Sequence, residues 1–390
     1  MVAGHSVDAE PARWQELLDE LLGRVADRFA RVELRWRVRA FVGGLLADLL
    51  RKNCWTLAEH AGDPNPDGMQ HLLARRYGTR MRSAMTCAGW VVEHLGDPEA
   101  VLVVDETGDL KKGTATVGVQ RQYPGTAGRV ENAQVAVYLV YASSAGHAVI
   151  DRELYLPQGW VDDPQRLRAA GVPDQVGFAT KPTLATAMIG RALDAGVPVA
   201  WATGDEVYGA NPGLRAELEA RRIGYVLAVA CDHPVRVGGA NLRADALLSS
   251  IPARAWQQVS CGTGAKGHRY YDWAFIRLDP CPDRGEQPRQ RWLLIRRHQR
   301  TGELAFYRCW LPARPRFDPG PGRRDQVDGG GALPDRQATG RTGPAPGPLL
   351  ALLVPLGHPG HARAGLPGRG RRARAHPAAA TTWAHPIDLQ

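Results

Sequence analysis

Two aspartates occupy matching positions in this sequence, each directly after a short apolar run. Asp105 follows V-L-V-V, and Asp205 follows P-V-A-W-A-T-G. Catalytic groups of α/β proteins gather at the carboxyl ends of strands. Two carboxylates that meet there repel each other, and a hard cation with oxygen ligands relieves the repulsion. The pair therefore predicts a divalent-metal site, and such sites can cleave phosphodiesters.

Asp105 also has simpler interpretations. Alone, Asp105 fits a residue that caps a turn, because Asp favours turns for its own hydrogen-bonding reasons. The V-L-V-V-D-E run also looks like the acidic strand of a P-loop ATPase, but that class requires G-x-x-x-x-G-K-[ST], which the sequence lacks. Glu106 and Glu206 follow the two aspartates. Because adjacent strand residues point to opposite faces, we expect them to support the site or to face solvent.

A basic segment interrupted by glycines follows the first aspartate. Its cationic residues are Lys111, Lys112, Arg121 and Arg129. One interpretation is a hairpin with ordinary solvated charge. The other is a surface that follows a DNA phosphate backbone beside the metal site. Lys181, in F-A-T-K-P-T-L-A, is a further DNA-binding candidate of the same kind.

Hydrophobic periodicity divides the chain into four segments. Apolar residues at three- and four-residue steps predict an all-helical N-terminal region over residues 1–97. Short apolar strands, one of them expected at residues 114–123, alternate with helices and predict a mixed α/β core over residues 98–222. Residues 223–310 contain further strands and are interpreted as a β-rich insertion. Residues 311–390 contain 13 Gly and 13 Pro, a composition typical of a low-complexity, disordered tail.

The overall composition is that of a globular protein with two or three domains, at 390 residues and 44% hydrophobic content. No stretch approaches eighteen uninterrupted apolar residues, and the first residues lack a signal-peptide pattern, so we expect no membrane contact. Six cysteines without a C-x-x-C pair fit a reducing cytoplasm. The net charge of +9 comes from the tail and from residues 75–88, which contain four Arg and no acid. Charge alone therefore does not identify a nucleic-acid partner.

Two blocks of the sequence resemble a known family. The run D-E-T-G-D-L-K-K-G-T-A-T-V-G-V-Q-R-Q-Y-P-G-T-A-G-R-V-E-N-A-Q, from Asp105 to Gln134, resembles the first catalytic block of bacterial insertion-sequence transposases of the DDE superfamily. G-D-E-V-Y-G, which contains Asp205, resembles their second block. The resemblance extends over residues 50–75 and 90–310.

This resemblance implies an RNase H-like catalytic core with a β insertion and a helical N-terminal region that binds DNA. Asp105 and Asp205 match the family's first two metal-binding acids, and an intact member would hold two Mg²⁺ (or Mn²⁺) ions. The implied reaction is strand cleavage at the terminal repeats of the element and strand transfer into target DNA. The implied location is the bacterial cytoplasm with nucleoid association, and a homodimer is left open.

The third acid of the family is missing from the sequence. That acid is a Glu in a helix resembling W-x-V-E-E-x-F-Q, and no such segment exists in this chain. Back-translation of Val327–Gln337 with free synonymous codons, shifted by one base, permits W-T-V-E-E-R-F-Q-T-G. Residues 77–88 likewise permit W-D-A-D-A-V-R-D-D-L-R. The first result favours a frameshifted tail, and the second a shorter shifted segment at residues 77–88. The competing hypothesis for the tail is a genuine basic tail that binds DNA non-specifically.

The sequence therefore predicts a DDE-type transposase that is catalytically defective in this copy. A second hypothesis is a non-catalytic DNA-binding product that represses transposition. A third is a metal-dependent hydrolase of small phosphoesters that uses the same two aspartates.

Overall fold

The computed structural model describes residues 11–74, 80–124, 127–264, 267–279 and 291–312. The predicted low-complexity tail lies outside the described residues from position 313 onwards, and so does the shifted-frame segment Val327–Gln337. The described residues divide into two compact units. One contains residues up to Gly96 together with Ala148–Asp151, and the other contains the remainder from Asp97 onwards.

The described residues before Gly96 form five α-helices and one short 3₁₀-helix (Ala26–Arg28), which confirms the predicted all-helical N-terminal region. The α-helices are α1 (Pro11–Val25), α2 (Val32–Leu46), α3 (Cys54–His60), α4 (Asp67–Ala74) and α5 (Arg80–Leu95). The start of α3 is fixed by a capping box. Asn53 accepts hydrogen bonds from the backbone of Trp55 and Thr56, and the Thr56 hydroxyl accepts one from the Asn53 backbone. No helix in the described ranges is long and apolar enough to cross a membrane.

The second unit is organised around one large mixed sheet. Its first strands are β1 (Val101–Leu110), β2 (Gln120–Gln122), β3 (Glu131–Ser143), β4 (Gly146–Tyr155), β5 (Trp201–Gly204) and β6 (Gly224–Val229). A small hairpin follows, formed by β7 (Pro234–Val237) and β8 (Ala240–Arg243), and then come β9 (Gln257–Gly264), β10 (Gly267–Arg277), β11 (Arg291–His298) and β12 (Leu304–Trp310). The order in the sheet is β2-β3-β1-β5-β6-β12-β11-β10-β9, with β4 also paired to β3.

The centre of the sheet is parallel and carries the residues before the two aspartates. β1 pairs with β5 in parallel, so that Val104 lies opposite Gly204, and β5 pairs with β6 in parallel. β3 lies antiparallel on the other side of β1. Every residue of β5 is buried, as expected for a parallel strand covered on both faces.

Five α-helices occur in the described part of the second unit, together with two short 3₁₀-helices. The α-helices are α6 (Gln158–Val161), α7 (Pro164–Ala169), α8 (Lys181–Asp194), α9 (Glu206–Gly209) and α10 (Pro212–Ala220). Side-chain caps fix the starts of the last three. Thr180 caps α8, Asp205 caps α9 and Asn211 caps α10, in each case by accepting a hydrogen bond from a backbone N–H of the first turn.

The first two strands differ from the prediction. β1 continues for five residues beyond Asp105, so this aspartate lies within a strand and not at its end. The second strand, expected over residues 114–123, is reduced to Gln120–Gln122. Gly118 adopts a φ of +76°, a conformation that an extended strand does not use, and this turn shortens the strand.

The sheet continues without a break beyond residue 222. β6 pairs with β5 on one side and with β12 on the other, and β11, β10 and β9 extend the same sheet. Both faces of this extension are buried. Leu294 and Tyr307 pack in a cluster with Trp201 on one face, and Leu293 and Phe306 pack in a second cluster on the other. The boundary between core and insertion at residue 222 stays a prediction.

Candidate metal centre

The carboxylates of Asp105, Glu106 and Asp205 converge at the carboxyl ends of the parallel pairing between β1 and β5. One oxygen atom of each lies within 4.8 Å of the others. The register explains this, because Val104 pairs with Gly204 and the next residue of each chain segment is an aspartate. Neighbouring strands lie only about 4.8 Å apart. A set of oxygen donors alone at this separation suits a hard divalent cation such as Mg²⁺.

Backbone hydrogen bonds orient the two aspartates. Oδ1 of Asp205 accepts a 2.9 Å hydrogen bond from the N–H of Val207, because Asp205 is the cap of α9. Oδ1 of Asp105 accepts a 2.8 Å bond from the N–H of Glu106. Each carboxylate is therefore held by a neighbouring peptide group, which limits its rotation before any ligand binds.

Glu106 is anchored by side chains from two helices. Its Oε1 accepts a 2.6 Å hydrogen bond from Nζ of Lys181, the first residue of α8. Its Oε2 accepts a 2.6 Å bond from the hydroxyl of the buried Tyr208 in α9. We expected Glu106 and Glu206 to support the site or face solvent. Glu206 is exposed. Glu106 lies close enough to the two aspartates to share an ion with them, but both of its carboxylate oxygens already accept hydrogen bonds from protein side chains.

The electrostatics of the cluster favour a cation. Burial, with the negative charges of Glu106 and Asp105, raises the pKa of Asp205 to about 6. Burial raises the pKa of Asp105 as well, and Glu106 adds to the rise while Lys181 opposes it. Lys181 offsets only one of three negative charges, so the cluster holds excess negative charge in a partly desolvated place. The charge and the donor set both fit a divalent cation.

The structure brings only one of the basic DNA-binding candidates to this cluster, namely Lys181. The others lie just beyond β1, in β2 or in the turn before β3: Lys111, Lys112, Arg121 and Arg129. The backbone N–H of Lys111 donates a hydrogen bond to the carbonyl of Asn132, so the chain is still paired to β3 there. Lys111 lies six positions after Asp105, which corresponds to about 20 Å of extended strand. Arg129 forms a 2.5 Å ion pair with Glu131. The DNA-binding role of these residues stays a prediction.

Tyr208 is the residue of the site that the sequence analysis missed. Its signal lay in G-D-E-V-Y-G, since a short helix that begins after Asp205 turns the third following residue back toward the strand ends. The position of Glu106 had no local signal. It depends on Lys181 and Tyr208, which lie 75 and 102 positions away in the sequence.

Comparison with known proteins places this geometry in a family. A family model described as "DDE superfamily endonuclease" matches residues 24–250, more than half of the chain, and this range includes both aspartates. The chain belongs to the DDE superfamily of endonucleases. The mixed sheet of this DDE protein, with its acidic cluster at the end of the parallel pairing, agrees with the RNase H-like core that the resemblance implied.

One curated relative gives a narrower comparison. The DDE protein is 28% identical over 196 residues to a protein described as "Probable transposase for insertion sequence element IS701" from Microchaete diplosiphon. The match covers 50% of this chain and 48% of the relative, so the chain spans about half the length of the curated relative it matches.

Proposed function

We propose that this protein is a DDE-type DNA transposase in which Asp105 and Asp205 hold a divalent cation, Mg²⁺ or Mn²⁺, for cleavage and transfer of DNA strands. The observation that carries the proposal is the convergence of Asp105, Glu106 and Asp205 within 4.8 Å. The family and the description of the relative support DNA as the partner. The terminal repeats of an element and a target DNA are the specific partners proposed, in the bacterial nucleoid and with a homodimer as the acting species.

The side chains of the site have distinct tasks in this proposal. Asp105 and Asp205 hold the cation, and a bound cation would stabilise negative charge on phosphate oxygens and lower the pKa of water. Lys181 and Tyr208 hold Glu106 in place through its two oxygens. Glu106 therefore adds negative charge beside the two aspartates without needing to contact the cation itself.

Strand cleavage by this copy is proposed to be weak. The sequence lacks a W-x-V-E-E-x-F-Q segment to supply the third acid. Glu106 is a poor replacement, because binding a cation directly would require it to give up the hydrogen bond from Lys181 or from Tyr208. A chain that binds DNA but cleaves it poorly could instead repress transposition, which is the second candidate function.

The test compares the 390-residue chain with a recoded chain that carries the shifted-frame segment W-T-V-E-E-R-F-Q. Both are mixed with plasmid DNA that contains the flanks of the gene, with Mg²⁺ or Mn²⁺, and nicking is measured. We expect the 390-residue chain to bind the DNA and nick it poorly, and the recoded chain to nick it efficiently.

Two substitutions in the recoded chain provide the controls. Asp205→Asn should abolish nicking, whereas Glu206→Gln, at the exposed neighbouring position, should leave it unchanged. Efficient nicking by Asp205→Asn would contradict the assigned site. Efficient nicking by the 390-residue chain would contradict the proposed defect, and inhibition of the recoded chain by the 390-residue chain would support repression.

A further inference from the structure

A second group of charged residues lies on one face of the sheet, two strands away from the metal centre. The strand register defines this face. Arg308 of β12 lies between Leu227 of β6 and Leu293 of β11. Trp310, two residues further along β12, lies between Tyr225 and Arg291 in the same way. Because side chains alternate along strands, Arg308, Arg291 and Tyr225 share one face.

Helix α10 covers this face. Its Glu219 accepts a 2.7 Å hydrogen bond from the hydroxyl of Tyr225 and a 3.1 Å bond from Nε of Arg291. Arg215 lies four residues earlier in the same helix and therefore on the same side of it, next to Glu219. It donates a hydrogen bond to the carbonyl of Gly209. Arg215, Arg291 and Arg308 thus meet between the helix and the sheet.

The charges in this group do not balance. Three arginines face Glu219, and this carboxylate is already shared by Arg291 and Tyr225. Nε of Arg308 is buried and has no hydrogen-bond partner among the described residues. A buried N–H group without an acceptor is unfavourable, and the positive charges outnumber Glu219, so this group of side chains is suited to an added anion.

The excess positive charge lowers the pKa values of neighbouring titratable groups. Burial and the charge of Arg308 lower the pKa of Arg215 to about 10. Burial, with the charges of Arg308 and Arg215, lowers the pKa of His233 to about 4. His233 follows β6 and is partly buried, whereas its neighbour Asp232 is exposed. His233 is therefore neutral at pH 7, when it retains one N–H donor.

The group lies at a distance from the metal centre that one DNA strand could span. Gly204, which precedes Asp205, pairs with Leu227, and Leu227 pairs with Arg308. Two interstrand spacings separate their backbones by about 10 Å. This distance corresponds to about three base-pair steps of about 3.4 Å along the axis of a B-form duplex.

We propose that Arg215 and Arg308 form a binding site for one phosphate group of the DNA backbone, beside the metal centre. The assignment rests on the proposed function, because it takes the anion to be a DNA phosphate. Arginine presents planar N–H donors that match phosphate oxygens, and such charge-assisted bonds are about twice as strong as neutral ones. The negative charge of the phosphate balances the positive charge that Arg215 and Arg308 share.

A purely structural role for Arg308 makes the opposite prediction for stability. If Arg308 stabilised the fold in the absence of a ligand, Arg308→Met would lower the melting temperature in every buffer. If Arg308 is present for phosphate, Arg308→Met relieves repulsion with Arg215 and leaves the melting temperature in chloride buffer unchanged or higher.

The experiment uses the full 390-residue chain and four substitutions. Arg308→Met and Arg215→Met remove the proposed contacts, and Arg308→Lys keeps the charge but loses the planar donors. Arg296→Met is the matched control, because Arg296 is a buried arginine of β11 that stacks over the ring of Tyr271 at 4.6 Å in the cluster on the opposite face. Melting temperatures are measured in chloride and in inorganic phosphate at equal ionic strength, and the affinity for a fluorescent single-stranded oligonucleotide is measured alongside.

We expect phosphate to raise the melting temperature of the wild-type chain and of Arg296→Met, but not of Arg308→Met or Arg215→Met. Oligonucleotide affinity should fall about tenfold in these two variants and less in Arg308→Lys. Equal phosphate stabilisation and equal oligonucleotide affinity in Arg308→Met would overturn the proposal. Phosphate stabilisation that depends on Arg308, with oligonucleotide affinity unchanged, would overturn the assignment to DNA.

Failure of the proposed function gives a different result. A recoded chain that never nicks DNA, but whose oligonucleotide affinity still depends on Arg308, would contradict the transposase proposal and support the phosphate site.

Discussion

The hydroxyl of Tyr208 donates a 2.6 Å hydrogen bond to Oε2 of Glu106 and so joins the helix that follows Asp205 to the strand that carries Asp105. This bond fixes the two halves of the acidic cluster relative to each other. Tyr208 is completely buried, and Glu106 is largely shielded from water, so the bond is made in a place of low polarity.

Tyr208→Phe should destabilise the protein. Removal of the hydroxyl leaves a shielded carboxylate oxygen without its donor, which costs about 1–3 kcal/mol in the free energy of unfolding. Urea denaturation measures this effect. Tyr123→Phe, at an exposed tyrosine, is the control and should change stability by no more than about 0.5 kcal/mol. Equal stabilities of the two variants would show that the bond has no structural role.

Lys181→Met should bind divalent cations more tightly than the wild-type chain. The ammonium group opposes the rise in the pKa of Asp105 and pairs with Glu106, so its removal increases the negative charge and frees an oxygen. Calorimetric titration with Mn²⁺ should show an affinity several-fold higher, with Lys112→Met as the exposed control. A weaker affinity in Lys181→Met would mean that Lys181 acts chiefly by holding Glu106 in place for the cation.

Stability without metal should fall as the pH rises from about 4 to about 6. The pKa of Asp205 is raised from 3.8 to about 6, so the fold favours its protonated form. Its contribution is fully present below pH 3.8 and is lost as the pH rises through 6, by up to about 3 kcal/mol. Asp205→Asn should reduce this fall to the part that Asp105 contributes, while keeping the helix cap.

The raised pKa of Asp205 also predicts how protons and the metal ion compete for this carboxylate. Protons and a divalent cation bind the same carboxylate, so Mn²⁺ affinity should rise up to about pH 6 and then level off. Thermal melts at several pH values, with and without Mn²⁺, measure both effects. A Mn²⁺ affinity that does not change between pH 5 and pH 7 would contradict the assignment of Asp205 as a ligand.

Neutralising the basic segment after Asp105 should weaken DNA binding regardless of sequence. Replacing Lys111, Lys112 or Arg121 by Gln should each lower the slope of log affinity against log salt by about one, if each contacts a phosphate. Arg129→Gln should have a smaller effect, because Arg129 already pairs with Glu131. Anisotropy titrations at several salt concentrations measure the slopes, and unchanged slopes would assign the segment to ordinary solvated charge.

The convergence of Asp105 and Asp205 could be predicted from the sequence because it depends on short-range signals. A buried parallel strand appears as a continuous apolar run, and both aspartates follow such runs. The mixed sheet and the helical N-terminal region could likewise be predicted, from the spacing of hydrophobic residues along the sequence.

The remaining features depend on contacts between distant segments. The extension of β1 beyond Asp105 has polar residues and exists because β3 pairs with it as far as Leu110. The anchoring of Glu106 needs Lys181 and Tyr208, from helices much later in the chain. Arg308 looks like an ordinary strand residue until the register places it opposite Leu227 and beneath α10.

The most direct test of a metal site shared by Asp105 and Asp205 is Mn²⁺ binding to the purified 390-residue chain at pH 7. Binding is measured by calorimetry for this chain and for the Asp105→Asn, Asp205→Asn and Glu206→Gln variants. We expect Mn²⁺ to bind the wild-type chain and Glu206→Gln, and the affinity to fall at least about tenfold when either aspartate is changed. Unchanged affinity in both aspartate variants would contradict a metal site shared by Asp105 and Asp205.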